Sequence, residues 1–530
     1  MVDILVIGGG GAGVSSALRA KERGFSVILA TKTPPTQSQT VMAQGGINAP
    51  LGNIEKDSIS LHIQDTLKAS YNLADESMVK KLIENSIETI EYLERAGVPF
   101  SRIDGASSAI KSIAQRKLGG ASSKRACYAQ DYTGLKIMQS LYDRALRIGV
   151  DIREGLFLID LIVEEKIVRG AIFWDFKKGE LLPIKAKATI LATGGYGNLY
   201  SSHTTNAKSA SGDGLSSAIR AGVRVSNMEF VQFHPTALKG SGVLISESAR
   251  GEGGYLINSD GERFVDELAP RDVVVKAIFQ ELQNSKEVFL DIRHLGKEKI
   301  THLMPQELHL CRLFAGVDPI TEPIPITPAL HYTIGGVDTD KEFKSCDGLY
   351  SVGEVACSHI HGANRLGGNS LLEIFTFGRL VIDEIELLDD NIDERSHLQK
   401  AQRKVETIFK KDGKESVYNL KRELGEVAFE HFGILRDQES MQEGSKKLQD
   451  LEERFKDIKL FDKSKKFNQE LIDILEFESM LLVAKALAKS AIWRKESRGV
   501  HLRSDYPEIN RDFECSSIYL DGEVFKRDVL

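Results

Sequence analysis

The sequence predicts an α/β fold in which a dinucleotide-binding domain carries an inserted α+β capping domain and is followed by a C-terminal helical domain. Three observations favour this fold. An apolar strand runs straight into a glycine-rich turn and a helix at the N-terminus, the sheet pattern returns near residue 348, and the chain beyond about residue 390 is charged and helix-forming. The 530 residues suit about three domains, at roughly 100–200 residues per domain.

The N-terminal segment reads as a strand, a turn, a helix and a second strand. An apolar strand at residues 4–7 enters a turn in which Gly8, Gly10 and Gly13 satisfy the G-x-G-x-x-G pattern. Gly8 permits the tight turn, Gly10 lets the backbone approach a pyrophosphate, and Gly13 lets the helix pack closely on the strand. The pattern therefore predicts a Rossmann-like domain with phosphates at the helix N-terminus.

The end of the second strand bears on which dinucleotide is bound. An NAD site would place an acidic residue there to hold the ribose, but this strand ends Ala30-Thr31-Lys32, so NAD is disfavoured. A later apolar run at residues 188–192 enters Thr193-Gly194-Gly195, as a second close approach of the backbone to a dinucleotide requires.

The remaining elements define the domain boundaries. Apolar residues recur at helical spacing over residues 75–96, which predicts one amphipathic helix that packs in the core and carries no chemistry. Strands are predicted near residues 150–152, 168–173 and 348–352. Prolines and charges punctuate residues 230–327. We therefore predict a dinucleotide-binding domain at 1–229 and 328–389, a capping domain at 230–327 and a helical domain at 390–530.

Composition and cysteine usage exclude several classes of protein. The formal net charge of −7 argues against a sequence-independent nucleic-acid binder, which needs a dense cationic face. The five scattered cysteines form no C-x-x-C pair, which disfavours a disulfide framework and a zinc or iron–sulfur site, so no metal is expected. No apolar run approaches the ~20 residues of a membrane span. Without a signal sequence, the protein is expected in the cytoplasm, reaching the inner face of a membrane only through a partner subunit.

Five segments of the chain contain more polar residues than a hydrophobic core would need. Together these segments supply three histidines and three arginines beside the predicted dinucleotide site. Arginine binds carboxylates through two hydrogen bonds, so this set suits an anionic substrate with two carboxylates. The segments are residues 232–236, 246–253, 267–272, 331–333 and 361–371.

These segments and four further motifs resemble the flavoprotein subunit of the succinate dehydrogenase/fumarate reductase family, which also contains L-aspartate oxidase. The resemblance runs over nearly the whole length of the chain. The further motifs are Ala43-Gln44-Gly45-Gly46, Ala192-Thr193-Gly194-Gly195, Ser211-Gly212-Asp213-Gly214 and Arg494-Lys495-Glu496-Ser497-Arg498-Gly499.

The resemblance implies bound FAD and a C4 dicarboxylate substrate. It places the pyrophosphate on the glycine turn, Asp213 and Glu354 on the ribose and adenosine side, and Ser370 and Leu371 near the flavin ring. The cofactor-binding residues that it implies are Gly8, Gly10, Gly11, Ala12, Gly13, Thr31, Lys32, Ser38, Thr40, Gly45, Gly46, Thr193, Gly194, Asp213, Glu354, Ser370 and Leu371. The substrate-binding residues that it implies are His234, Ser246, His331 and Arg365.

The resemblance also implies that Arg271 moves the proton at the carbon opposite the hydride, supplied through Glu247 and Arg250. A guanidinium is a very weak acid, so this role requires contact with the carbon and a neighbouring carboxylate that reprotonates it. The spacing Glu247-x-x-Arg250 suits a relay if the backbone turns there. The alternative is that these two residues only pair with each other.

Two departures from the family pattern separate its branches. Gln39 in Ser38-Gln39-Thr40 stands where membrane-bound relatives attach FAD through a histidine, so FAD is expected to be non-covalent, with a lower potential that favours fumarate reduction. Leu118 stands where similar aspartate oxidases carry a glutamate for the substrate ammonium. Together with Gly367-Gly368, it favours a fumarate reductase or succinate dehydrogenase over L-aspartate oxidase.

The electron donor and two alternatives stay open at this point. The chain has no cluster ligands of its own, so an iron–sulfur electron-transfer subunit is a candidate partner, although the short tail after Pro507 lacks the usual Trp/His pattern. L-Aspartate oxidase is the alternative enzyme. A redox-inert FAD-binding or assembly module is the third hypothesis, and the joint presence of His234, Arg271, His331 and Arg365 speaks against it.

Overall fold

The computed structural model describes residues 1–103, 109–388 and 393–528. The first part of the chain builds the central sheet and the helices that cover it. Its elements are β1 (Val2–Ile7), α1 (Gly11–Glu22), β2 (Val27–Thr31), β3 (Ile47–Asn48), α2 (Ile59–Ala69), α3 (Glu76–Glu84), α4 (Ser86–Arg95), β4 (Gln115–Arg116), β5 (Ala126–Cys127), α5 (Thr133–Arg147), β6 (Asp151–Glu154), β7 (Leu156–Glu164), β8 (Ile167–Asp175), β9 (Glu180–Leu191), α6 (Asp213–Arg220) and β10 (Val225–Ser226).

The middle of the chain forms the segment predicted to cap the site. Its elements are β11 (Val231–Leu238), α7 (Glu247–Gly251), β12 (Tyr255–Asn258), α8 (Arg271–Gln283), β13 (Val288–Asp291), α9 (Lys297–Leu303), α10 (Pro305–Phe314) and β14 (Ile324–Thr333). Strands β11, β14, β13 and β12 form an antiparallel sheet in that order. Because β11 and β14 are neighbours, the sheet brings His234, which pairs with Ala329, close to His331, and the two ring centres lie 5.0 Å apart.

The last part of the chain completes the central sheet and then forms a group of helices. Its elements are β15 (Gly336–Asp338), β16 (Lys344–Cys346), β17 (Leu349–Ser351), β18 (Ala356–Cys357), α11 (Asn369–Glu384), α12 (Arg395–Phe409), α13 (Val417–Phe432), β19 (Leu435–Arg436), α14 (Gln438–Lys456), α15 (Gln469–Trp493), β20 (Leu502–Arg503), β21 (Cys515–Leu520) and β22 (Glu523–Asp528).

The central sheet brings distant loops to one edge. Strands β6, β2, β1, β9 and β17 run parallel in that order, and β1 lies between β2 and β9. The carboxyl ends of parallel strands meet at one edge, where doubly wound folds bind their ligands. The glycine turn, Thr31, Thr193 and Glu354 therefore converge, although up to 346 residues separate them in the chain. The predicted α/β fold is confirmed by this topology.

Two predicted elements differ from the structure. The single helix predicted over 75–96 is two helices, because the chain leaves the helical conformation at Asn85 (φ −87°, ψ 0°), whose side chain donates back to the Lys81 carbonyl. Residues 515–528 are not helical, contrary to the prediction. They form the β21–β22 hairpin, whose turn residues Asp521 and Gly522 both have positive φ, as a two-residue hairpin turn requires.

Candidate active site

A large cavity lies at the carboxyl edge of the central sheet. It encloses about 1290 Å³, part of it open to solvent. A Cβ atom on Gly8 would overlap the Ala192 carbonyl, and one on Gly13 would overlap the Gly8 carbonyl. These two glycines are thus required by the close approach of β1, α1 and β9. We call this space the dinucleotide cavity.

The walls of the dinucleotide cavity present groups that suit a dinucleotide. The side-chain oxygens of Ser38, Thr193 and Asn206 are buried on these walls without a protein partner, so a ligand can bind them. The N-terminus of α1 opens onto the cavity, and its orphan N–H groups favour a phosphate. No protein atom lies closer than ordinary contact distance to the position that a Cβ on Gly10 would take. The absence of a side chain at Gly10 therefore leaves room for a ligand.

Most of the predicted cofactor residues line this cavity. Gly13 lies behind the wall, and Gly45 and Gly46 line a second, smaller cavity instead. The predicted residues on the wall are Gly8, Gly10, Gly11, Ala12, Thr31, Lys32, Ser38, Thr40, Thr193, Gly194, Asp213, Glu354, Ser370 and Leu371.

Gln39 also lines the dinucleotide cavity. Its Oε1 accepts the backbone N–H of Ala207 at 2.7 Å, so the amide anchors the loop that carries Asn206. An amide is not a nucleophile, and the side chain is engaged in a structural hydrogen bond. This geometry suits a cofactor that is held without a covalent bond.

The second cavity is small and adjoins the first. It encloses about 410 Å³, and the two cavities share Ala43, His331, Ser370 and Leu371. Its volume is close to the lower limit for small-molecule sites. The substrate and catalytic residues predicted from the sequence that line it are His234, Ser246, Glu247, Arg271, His331 and Arg365. We call this space the small cavity.

Arg271, Glu247 and Arg250 form a continuous buried chain. Arg271 Nε donates to Glu247 Oε2 at 2.9 Å, and Arg250 Nη2 lies 3.6 Å from Glu247 Oε1. The short helix α7 supplies the turn that brings Glu247 and Arg250 to one side. Arg250 lies behind Glu247 and does not line the small cavity. Glu247 therefore forms an ion pair with Arg250 and accepts hydrogen bonds from Arg271.

Glu247 is ionised at any working pH. Burial alone would raise the pKa of its carboxyl, but the guanidinium groups of Arg271 and Arg250 outweigh burial and lower the pKa to about 2. The N–H of Gly119 also donates to its Oε1 at 2.7 Å. A carboxylate held in this way accepts a proton only for a moment, which is what a relay group requires.

Gln232 connects the two arginines of the small cavity, and the sequence analysis did not assign it a role. Its Oε1 accepts from Arg271 Nη1 at 3.2 Å and from Arg365 Nη2 at 3.0 Å. Its Nε2 donates to Asn364 Oδ1 at 2.8 Å, which fixes the orientation of the amide. The only sequence signal for this role is its position two residues before His234.

Arg365 is placed to bind an anion. Its Nη1 donates to Ser370 Oγ at 2.7 Å, and its guanidinium lies 4.3 Å from the centre of the Tyr332 ring. Its Nε is buried without a protein partner. Burial and the charge of Arg271 lower the pKa of Arg365 to about 10, so it stays cationic at neutral pH. The Nε–H therefore remains available to a ligand.

The two histidines of the small cavity are neutral. Burial, followed by the charges of Arg271, Arg250 and Arg365, lowers the pKa of His234 well below its usual value. The Thr236 N–H donates to His234 Nδ1 at 3.2 Å, so Nε2 carries the proton and is the available donor. The ring of His331 lies 5.0 Å away, and burial also lowers its pKa.

The charge balance of the small cavity favours a dianion. Arg271 and Arg365 face a single carboxylate, Glu247, and Arg250 adds a further positive charge behind it. Leu118 forms an apolar part of the wall. His361, the third histidine of the sequence cluster, pairs with Glu373 at 3.0 Å and lines neither cavity. Within the described ranges, no group of His, Cys, Asp and Glu is arranged to hold a metal ion.

A buried carboxyl group, that of Glu307, lies beside the N-terminus of α7. Glu307 Oε1 accepts the N–H of Ser246 at 2.9 Å, and its Oε2 has no hydrogen-bond partner. Burial, together with the charge of Asp131, raises the pKa of Glu307 to about 8. Arg116 also faces this group. Glu307 is thus largely neutral in the folded protein at pH 7.

We expect Glu307→Gln to remove a pH-dependent penalty on stability. Its pKa rises from 4.5 to about 8 on folding, so unfolding releases a proton between these values and stability falls as pH rises through this window. The neutral amide lacks this linkage. Urea unfolding at pH 5 and at pH 8 should show that the variant gains stability over the parent mainly at pH 8. An equal difference at both pH values would contradict the assignment.

The chain matches the family model of the FAD binding domain over residues 3–371 and that of the fumarate reductase flavoprotein C-term over residues 421–523. It is 39% identical over 546 residues to the succinate dehydrogenase flavoprotein subunit of Rickettsia bellii, with 96% of this chain and 91% of the relative covered. It is 37% identical to the 8-methylmenaquinol:fumarate reductase flavoprotein subunit of Wolinella succinogenes, with 96% and 86% covered. The structure of E. coli quinol fumarate reductase superimposes with a TM-score of 0.93 at 33% identity, over 100% of this chain and 96% of that chain.

Proposed function

The chain belongs to the flavoprotein family of succinate dehydrogenases and fumarate reductases, and on that premise we propose that it interconverts fumarate and succinate, with fumarate reduction favoured. The family makes it an FAD-dependent oxidoreductase. The observation that carries the proposal is the small cavity, in which Arg271 and Arg365 face one carboxylate beside the cavity that suits FAD. A C4 dicarboxylate matches both its size and its charge.

We propose that FAD lies in the dinucleotide cavity. The N-terminus of α1 would hold its pyrophosphate, Asp213 and Glu354 its ribose and adenosine side, and Ser370 and Leu371 would flank its ring. When bound there, FAD supplies the hydride that is exchanged with one carbon of the substrate. The unpartnered oxygens on the walls and the glycine turn support this placement.

The residues of the small cavity then bind and orient the dicarboxylate. The unpartnered Nε of Arg365 and the Nε2–H of His234 donate to substrate carboxylates, with Ser246 and His331 beside them. Two fixed carboxylates leave the C=C bond in one orientation, which converts binding energy into alignment. The apolar side chain of Leu118 excludes water and offers no partner to an ammonium group.

Arg271 delivers the proton to the second carbon in this proposal. Its guanidinium gives up a proton to the carbon, and Arg250 restores it by passing a proton through the ionised carboxylate of Glu247. Arg250 regains its own proton from solvent before the next turnover. The contacts of Arg271 and Arg250 with the same carboxylate support this order. A positioned acid of this kind contributes about 10²–10⁴-fold to rate.

We expect FAD to be released intact when the purified protein is denatured. Gln39 stands at the position where the resemblance places a flavin-linking histidine, and an amide forms no such bond. Trichloroacetic acid precipitation should leave all the flavin absorbance in the supernatant. The covalent alternative predicts a yellow pellet whose flavin migrates with the polypeptide on a denaturing gel.

The choice between C4 acids is tested with the oxidised enzyme. We expect anaerobic succinate to bleach the flavin absorbance slowly and L-aspartate to leave it unchanged, because Leu118 gives the aspartate ammonium no counter-charge. A Leu118→Glu variant supplies that charge and should bind L-aspartate better than the parent. Bleaching of the parent by aspartate would make the protein an L-aspartate oxidase.

We also propose that electrons reach the flavin from a separate protein, with an iron–sulfur subunit as the first candidate. The curated relatives are named as subunits, which supports such a partner. In the part of the chain that the structure describes, no helix is both long and apolar enough to cross a bilayer.

The three-domain division predicted from the sequence stays a proposal.

A further inference from the structure

A row of buried alternating charges connects the dinucleotide cavity to the C-terminal helices. Lys32 at the end of β2 and Asp213 at the start of α6 lie on the cavity wall. Glu476 and Asp473 on α15 and Lys421 on α13 continue the row outward. All five side chains are less than one-fifth exposed. We call this set the charge row.

Lys32 has no donor left for a ligand. Its Nζ donates to Asp213 Oδ2 at 2.6 Å, to Ser211 Oγ at 2.8 Å and to Glu476 Oε1 at 2.7 Å. An ammonium group carries three hydrogens, so the protein uses all of them. Although Lys32 lines the cavity, its direct effect is on Asp213, whose carboxylate it holds in place. Asp213 also lines the dinucleotide cavity, and its carboxylate is the group that would contact FAD there.

Glu476 holds Lys32 from the other side. Its second oxygen accepts from Lys421 Nζ at 2.7 Å, and Lys421 also binds Asp473. Burial alone would raise the pKa of Glu476, but the charges of Lys32 and Lys421 outweigh burial and lower it. Burial alone would lower the pKa of Lys32, yet Asp213 and Glu476 raise it. Lys32 and Glu476 therefore remain ionised at neutral pH and the hydrogen bond between them persists. Burial raises the pKa of Asp213, and the charge of Lys32 opposes that rise.

We propose that Glu476 is a positioning residue of the FAD site: by holding the Lys32 ammonium, it fixes the Asp213 carboxylate on the cavity wall, so that α15 contributes to FAD affinity. Glu476 is 444 residues from Lys32 in the chain. Because coupling is reciprocal, bound FAD in turn stabilises the docking of α15 on the central sheet. The inference rests on FAD occupying the dinucleotide cavity, and it does not depend on which C4 acid the enzyme reduces.

The first test is the affinity of the apoprotein for FAD. We expect Glu476→Gln to raise the dissociation constant about tenfold to a hundredfold, since the substitution removes the negative charge that strengthens the hydrogen bond from Lys32. Glu478→Gln is the matched control. Glu478 lies on the same helix and pairs with Lys404 at 2.8 Å, with its side chain 39% exposed, so its variant should bind FAD within about twofold of the parent. Quenching of flavin fluorescence during titration measures each constant.

A double-mutant cycle separates positioning from general destabilisation. If Glu476 acts through Lys32, the double variant Lys32→Met/Glu476→Gln should bind FAD no more weakly than Lys32→Met alone. FAD raises the unfolding temperature of the apoprotein. This rise should be smaller in Glu476→Gln than in the parent, and it should be unchanged in Glu478→Gln. If Glu476→Gln acted through a general loss of packing, the double variant would instead bind FAD more weakly than Lys32→Met alone.

Three results would overturn the inference. They are an unchanged dissociation constant in Glu476→Gln, equal losses in the 476 and 478 variants, and additive losses in the double variant. If Glu476→Gln does not fold, Lys421→Met takes its place in the test. This variant removes the lysine that donates to Glu476 Oε2 and should weaken FAD binding severalfold. An unchanged constant there would also contradict it. Loss of fumarate turnover with normal FAD binding would count against the proposed function and leave this inference intact.

Discussion

Arg271→Ala is expected to lower kcat for fumarate reduction by about a thousandfold or more while FAD remains bound. Arg271 is the cation of the small cavity that contacts the relay carboxylate through two nitrogens. Without it the second carbon receives its proton only from water, and a positioned acid is worth about 10²–10⁴-fold. Arg271 does not line the dinucleotide cavity, so the flavin content per polypeptide should not change.

Two companion variants make the Arg271 result specific. Alanine leaves Glu247 buried with Arg250 as its remaining cation, so some loss of stability is expected. Arg271→Lys keeps a charge beside Glu247 and should fold as the parent does, yet it should remain at least a hundredfold slower. Arg263→Ala is the control, because it removes an exposed arginine eight residues before Arg271. This variant should keep full activity. Substantial turnover by the Arg271→Ala variant would exclude the Arg271 guanidinium as the proton donor.

Arg365→Met should lower kcat/KM for fumarate by about a hundredfold or more, chiefly by raising KM. The variant removes a buried cation whose Nε is free for a carboxylate. Losing one partner of a buried, hydrogen-bonded charge pair costs 2–5 kcal/mol or more, which corresponds to a factor of about 30 to several thousand. Steady-state kinetics with fumarate, and titration with the unreactive dicarboxylate malonate, measure the loss.

Arg379→Met is the matched control for the Arg365 variant. Arg379 lies on α11 with its guanidinium 4.0 Å from the centre of the Tyr92 ring, much as Arg365 lies over Tyr332, and it lines neither cavity. Its variant should keep the KM of the parent. Equal effects of the two substitutions would show that Arg365 acts through packing and does not bind the substrate.

The sequence predicts the central fold well because its signals are local. The strand, glycine turn, helix and second strand at the N-terminus follow one another as the G-x-G-x-x-G pattern predicts. All the residues implied by the family resemblance except Gly13 and Arg250 line two adjoining cavities. A motif of this kind fixes backbone geometry within a few residues, so no knowledge of distant contacts is required.

The features that the sequence analysis missed depend on contacts between distant segments. Gln232 joins Arg271 to Arg365 across 133 residues of chain, and nothing near Gln232 in the sequence indicates both partners. The break at Asn85 is hidden because apolar spacing continues through it. The β21–β22 hairpin had a local signal in Asp521-Gly522, which the charged, helix-forming composition of the preceding residues obscured.

The most direct test of C4-dicarboxylate reduction is anaerobic re-oxidation of the photoreduced flavoprotein, followed at the flavin absorbance band. Fumarate should restore the oxidised spectrum rapidly. Its cis isomer maleate and the monocarboxylate crotonate should not, because Arg365 and the second carboxylate contact would not both be satisfied. A reduced flavin that stays bleached with fumarate, or that crotonate re-oxidises equally fast, would contradict the assignment of the small cavity as a dicarboxylate site.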